Sequence, residues 1–249
     1  MVQILQPRPP VKTTGPRGQR RGARINRINR INPADVAAYT LSEAAALVDV
    51  PMSTLQKWTR GRTFPTKNGT RTSAAIIEPP EPRFLSFTNI VEAHILAGLR
   101  KERIALEKIR SAVHFVDRHF KVKHALALQE FKTDGVDLFI ERLDDGLVNA
   151  SRGGQNAMRA ILETHLRRVD YAHGRAVRLF PLHRDEAPRA VVIDPLRAFG
   201  RPVLHGTSVP VEDIFSRWHR GESFEQLATD YEVTLAEIEE ALRAARKAA

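Results

Sequence analysis

The side chains whose types and spacing suggest chemistry cluster between positions 53 and 71. Ser53, Gln56, Lys57 and Arg60 fall opposite Leu55 and Trp58, whose i, i+3 spacing marks the packed side of a short helix. All four are short or cationic hydrogen-bond donors, the kind that reach base edges and phosphates. Arg62, Lys67 and Arg71 follow and flank Asn68-Gly69, a strong hairpin-turn signal. Together they offer recognition of a polyanion.

No comparable set points to catalysis. His114, His119 and His124 recur every five residues, about 140° apart on a helix, so they do not share a face as zinc ligands at i, i+4 would. Asp144-Asp145 and Asp134 with Asp137 read as turn residues, not as a paired acid and base. Gly-rich phosphate loops, Gly-x-Ser-x-Gly and His-Glu-x-x-His are absent. Cysteine is absent too, which removes disulfides and thiolate zinc sites and fits a reducing cytoplasm. The expectation is a protein with no catalytic residues, no metal ligands and no cofactor.

The elements that must hold the donors can be read around them. Thr40-Leu41-Ser42-Glu43 is a capping box that starts a helix packed through Leu41, Ala44, Ala45, Leu47 and Val48. Asp49-Val50 makes a tight turn, and Pro51 suits the first turn of a second helix over about Met52 to Thr59. Two short helices joined this closely form a helix-turn-helix. The basic hairpin after them reads as a wing, with Ile76-Ile77 beginning its returning strand. Pro79-Pro80-Glu81-Pro82 ends that element, and amphipathic helices follow over about Phe87 to Arg103 and Leu106 to Phe120. Tyr39 to Ala45, Val50-Pro51, Thr54-Leu55 and Trp58 resemble the DNA-binding domain of the MerR superfamily, with Gln56 and Lys57 replacing the Arg pair often found there. The resemblance adds Thr40 and Thr54 to the candidate DNA contacts, which become Thr40, Ser53, Thr54, Gln56, Lys57, Arg60, Arg62, Lys67 and Arg71.

Further along, Asp134-Gly135 and Asp145-Gly146 read as hairpin turns bracketing a strand, Val136 to Leu143. Ala125 to Phe131 and Leu147 to Ala150 are expected beside it in a three-stranded meander. A helix over about Gln155 to Arg168 and a strand over Val177 to Phe180 complete this middle segment, whose expected role is dimerisation or spacing. The last 60 residues carry Gly200-x-Pro202-Val203 and Gly206-Thr207-Ser208-Val209-Pro210-Val211, then capping boxes at Ser223 and Thr234. They resemble the trihelical domain of unknown function 433, with helices at Val211 to Arg220, Phe224 to Tyr231 and Leu235 to about Lys247; Ser208 stands where that family usually has Arg. Glu237, Glu239 and Glu240 at the start of the third helix would face phosphates in a groove, so this unit reads as protein-binding.

Composition sets the outer bounds. The chain of 249 residues is 42% apolar and 27% charged, ordinary globular usage. No secretion signal is read at its start, and no apolar run approaches the roughly 18–20 residues of a membrane span. Of the net charge of +10, eight positive charges lie before Asp35, in a Pro- and Gly-rich segment expected to be disordered when free. Its triple Arg-Ile-Asn repeat (Arg24 to Asn32) could neutralise phosphates without sequence preference. The expected architecture is α+β, mostly α: a basic arm (1–38), a winged helix-turn-helix (39–120), a small mixed α/β domain (121–189) and a trihelical domain (190–249).

From Tyr39 onward this combination resembles one group of bacterial VapB-type antitoxins. The resemblance implies a cytoplasmic homodimer that binds double-stranded operator DNA, represses its own operon and silences a cognate PIN-domain ribonuclease toxin. The alternative is a MerR-like regulator that senses a small organic ligand through residues 121–189.

Overall fold

A computed structural model describes residues 32–66, 69–99, 104–144, 152–181 and 188–248, leaving aside the side chains of 62, 64, 66, 71, 73, 144, 152, 153 and 246–248. The basic arm to residue 31, the Lys67-Asn68 pair and the segment 145–151, with its expected strand Leu147 to Ala150, lie outside the described residues.

The fold is mostly helical with small antiparallel pairs of strands. After a 3-10 turn at Pro33–Asp35, strand β1 (Tyr39–Thr40) leads into helix α1 (Leu41–Leu47). Both arms of the capping box form: the Glu43 amide donates to Thr40 Oγ1 at 3.2 Å, and the Thr40 amide donates to Glu43 Oε2 at 2.8 Å. Asp49 takes the left-handed conformation (φ 55°) at the turn, a region Asp tolerates better than most residues. Helix α2 (Met52–Thr59) follows, with Pro51 at its N-cap, one position earlier than the first-turn site expected from sequence.

Strands β2 (Arg62–Thr66) and β3 (Gly69–Ser73) form the hairpin, in the register Arg62 to Ser73 and Thr66 to Gly69. Ile76 and Ile77 are not in the returning strand. Both are buried, and their amides donate to the Trp58 carbonyl at 2.8 and 3.0 Å, tying the foot of the hairpin to the end of α2. Strand β4 (Phe84–Leu85) pairs with β1.

Helix α3 (Phe87–Leu99) is buried on all sides rather than on the one face expected of an amphipathic helix, and it takes Thr88, Asn89, Glu92 and His94 into the interior with its apolar residues. Its start is closed by Ser86 and Asn89, each side chain accepting from the other's amide, at 3.1 and 3.2 Å. Helix α4 (Leu106–Phe120) is amphipathic. The expected meander is absent. Ala125–Ala127 is a 3-10 turn, Phe131–Gly135 a π-type turn, and Val136–Asp144 the helix α5. Val136, Phe139, Ile140 and Leu143 are buried at i, i+3, i+4, i+7 spacing, a helical period that wins over the alternation of Val136, Leu138 and Ile140. Gly135 is no hairpin residue; a Cβ there would lie 2.6 Å from the Phe131 ring, so it serves close packing.

Helix α6 (Arg152–Leu166) lies against α3 and α5. At its crossing with α3, a Cβ on Gly98 would come within 2.8 Å of His165 and Ile161. Strands β5 (Val169–Ala172) and β6 (Arg175–Leu179) form a bulged hairpin, and Leu179 bridges to Ile193. Strands β7 (Val191–Val192) and β8 (Val203–Leu204) pair ahead of helices α7 (Val211–His219), α8 (Phe224–Tyr231) and α9 (Leu235–Ala248). The described residues from Asn32 onward form one packed unit, in which α9 lies against α1 as well as against α7 and α8.

Candidate nucleic-acid interface

The helix-turn-helix presents one free face. Leu55, Trp58 and Thr59 are buried, and the Thr59 hydroxyl bonds back to the Leu55 carbonyl at 3.0 Å. Ser53, Lys57 and Arg60 are exposed on the far side, and Thr54 and Gln56 are half-buried. Among the described residues, the side chains of Ser53, Lys57 and Arg60 have no hydrogen bond or ion pair. Arg60 is the C-cap, where the chain leaves the helix with extended dihedrals and turns into β2.

The hairpin follows directly in the chain. Its described positions 61, 63, 65, 69, 70 and 72 are all exposed. The Thr63 and Thr72 hydroxyls bond across the strands at 3.2 Å. Arg62 and Arg71 are in facing strands, with Arg71 opposite Phe64, while their side chains and all of Lys67 lie outside the description. From Val50 to Ile77 the chain has five lysines and arginines and no Asp or Glu. Along the chain, α2 and the hairpin therefore carry a run of cations with no acidic residue between them. Thr40 stands apart from this set. It is exposed at the start of α1, and its hydroxyl already bonds Glu43 as donor and acceptor.

Two groups of contacts that sequence spacing did not reveal hold this unit. Tyr39, just before the N-cap of α1, is buried and donates its phenol proton to the Gly200 carbonyl at 2.8 Å, across 161 residues of chain. Burial, then the charges of Asp194 and Glu43, push the phenol pKa up, so the group stays a donor. Gly200 is left-handed (φ 80°), and a Cβ there would fall 2.3 Å from the Tyr39 oxygen, so only glycine fits.

The second group joins α3 to the chain just after α4. Glu92 is 2% exposed and accepts from Asn89 Nδ2 at 3.1 Å and His124 Nδ1 at 3.0 Å, and Asn89 also donates to the Glu78 carbonyl. Burial pushes the His124 pKa down, but the hydrogen bond and charge of Glu92, with Asp117 and Asp35, outweigh it, and the net shift is upward. Asp35, Glu78, Ser86, Asn89, Lys123 and His124 line an open pocket of about 280 Å³ here. His114 and His119 remain on α4, and among the described residues no cluster of three metal-ligating side chains forms.

In the C-terminal unit, Ser223 and Thr234 form the expected capping boxes. The three glutamates of α9 differ in use: Glu237 caps the helix, Glu240 is buried beside Arg243 at 2.6 Å, and Glu239 is exposed. No helix among the described residues is long and apolar enough to cross a membrane.

Comparison with known proteins agrees with this division. A family described as "Putative DNA-binding HTH domain" matches residues 37–113, and "Protein of unknown function (DUF433)" matches residues 191–244. Among curated proteins, the Mycobacterium tuberculosis protein titled "Putative antitoxin VapB45" is 30% identical over 227 residues, covering 84% of this chain and 94% of that one. The uncharacterised protein Rv2308 of the same organism is 27% identical over 224 residues, covering 86% of this chain and 92% of its own length. The crystal structure of Rv2018, also from M. tuberculosis, superposes with a TM-score of 0.62 at 27% identity, over 84% of this chain and 98% of that chain.

Proposed function

The chain belongs to the family of the mycobacterial protein titled "Putative antitoxin VapB45", and from that premise we propose that it is a DNA-binding antitoxin that represses its own operon. On this reading α2 enters the major groove of a partly palindromic operator, bound by a homodimer. Ser53, Thr54, Gln56, Lys57 and Arg60 face the bases and adjoining phosphates. Arg62, Lys67 and Arg71 in the hairpin grip the backbone, and Thr40 approaches it from the start of α1. The protein partner is a toxin encoded beside it, a PIN-domain ribonuclease held inactive in the complex, and the assembly works in the cytoplasm.

The observation that carries the DNA half is the exposed, unpaired face of Ser53, Lys57 and Arg60, followed in the chain by a hairpin, within a stretch that has no Asp or Glu. Cations left free in this way displace counterions from phosphates on binding. The test is binding to the DNA upstream of the operon. Lys57→Ala and Arg60→Ala are each expected to weaken it by about tenfold and to flatten its salt dependence by about one unit of slope, with Tm unchanged. Full affinity in both variants would remove α2 from the groove.

A further inference from the structure

Helix α2 carries one large apolar side chain that packing leaves in solvent. Met52 opens the helix and is 48% exposed, the only exposed large apolar residue on α1 or α2 among the described residues. Leu55, Trp58 and Thr59 take the packed side. Gln56 stands one turn beyond Met52 and about 40° round the axis from it, and Ser53, Lys57 and Arg60 continue the exposed side. An apolar group at the edge of a polar, cationic face gains nothing from the fold.

The backbone under Met52 is held from both directions. Val50 is buried, and its amide donates to the Ala45 carbonyl at 3.0 Å, which ties the turn to α1. The Pro51 carbonyl accepts from the Thr54 and Leu55 amides at 2.8 and 3.2 Å, and Leu55 is fully buried. Met52 thus starts from a fixed place on the surface, while its unbranched side chain can adapt to what it meets.

The surrounding chemistry narrows what that is. The five cations between Val50 and Ile77, with no Asp or Glu among them, suit a polyanion. In the major groove of DNA the base edges present hydrogen-bonding groups and one apolar group, the 5-methyl of thymine. Duplex RNA has uracil instead, and its major groove is too narrow for side chains to read. The first turn of a recognition helix is the part that reaches base edges. An apolar residue placed there has one apolar counterpart on the polyanion.

Resting on the placement of α2 in the major groove, we propose that Met52 is a specificity-determining residue that seats against a thymine methyl group in each half-site of the operator. Gln56 beside it carries the amide suited to adenine, so this part of the helix selects A·T pairs. The Met52 contact is apolar. It selects sequence without adding to the salt dependence that Lys57 and Arg60 set.

The test uses the full chain and two forms of the DNA upstream of the operon. One contains thymine, and the other contains deoxyuridine throughout, which pairs alike but lacks the 5-methyl. The parent chain is expected to bind the deoxyuridine form at least about fourfold more weakly, the worth of one buried carbon. Met52→Ala is expected to bind the thymine form at least about fourfold more weakly than the parent does, with the parent's salt slope. It should bind the two forms within about twofold of each other, since no methyl contact remains to be lost. Met52→Gln, which keeps the length and the helix propensity of the side chain, is expected to lose the preference in the same way. A preference for thymine that persists in both variants overturns the proposal, because the methyl is then read elsewhere or acts through DNA shape. So does a parent chain that binds the two forms equally. A parent chain that binds neither form removes the DNA-binding reading itself, and the contact falls with it.

Discussion

Single residues in this protein do different work from what their spacing suggests. His124 follows His114 and His119 at a constant interval, yet it alone leaves α4, takes a left-handed conformation and bonds buried Glu92. Because its folded-state pKa lies above the ordinary value, the pair contributes stability that is full below about pH 6.5. That contribution is lost as the pH rises through the folded pKa. Replacing His124 by Gln should therefore lower Tm most near pH 5.5–6, and the gap to the parent chain should narrow towards pH 8.5. Thermal melts across that range check it, and a gap that widens with pH would contradict the ion pair. Spacing could not have found this partner, since Glu92 is 32 residues away and only the close approach of α3 to the end of α4 brings the two together. Ser53, Lys57 and Arg60 were legible for the opposite reason. Their exposure follows from local helical periodicity, with Leu55 and Trp58 buried on the other side.

Elements were legible where a cap or a period was unambiguous. Thr40, Ser223 and Thr234 each start a helix as their capping boxes require, and α4, α8 and α9 begin where the sequence places them. The segment Val136–Asp144 was not legible, because its apolar residues fit both the helical and the strand period. Asp134-Gly135 tipped the choice towards a turn. What Gly135 answers to is the Phe131 and Phe120 rings, a tertiary demand with no local signature. The β2–β3 hairpin is the element with the clearest separate role. Its described positions are exposed. Excising Thr63–Thr72 and closing the gap with two glycines removes Lys67 and Arg71. The expected result is weaker operator binding, with a salt slope smaller by about two. An unchanged slope would take the hairpin out of the interface.

At the scale of the whole molecule, the helix-turn-helix and the C-terminal unit share supports. Tyr39 donates a hydrogen bond to the Gly200 carbonyl, and α9 lies against α1, so the element that starts the helix-turn-helix is braced by residues 200 and beyond. Tyr39→Phe leaves the Gly200 carbonyl short of its buried donor and should cost about 1–2 kcal/mol. That corresponds to a fall of a few degrees in Tm at this chain length. Gly200→Ala should cost at least as much, because its Cβ would strike the phenol and its φ disfavours alanine. Calorimetry of both variants measures the brace, and two unaltered melts would show that it carries no load. The contact of α9 with α1 has one further outcome, visible in amide hydrogen exchange. Whatever binds the folded helix-turn-helix raises the free energy of every opening that must first undo it. Amides of α9, far along the chain from any base contact, should then exchange more slowly when operator DNA is present, as though the last helix had itself been touched.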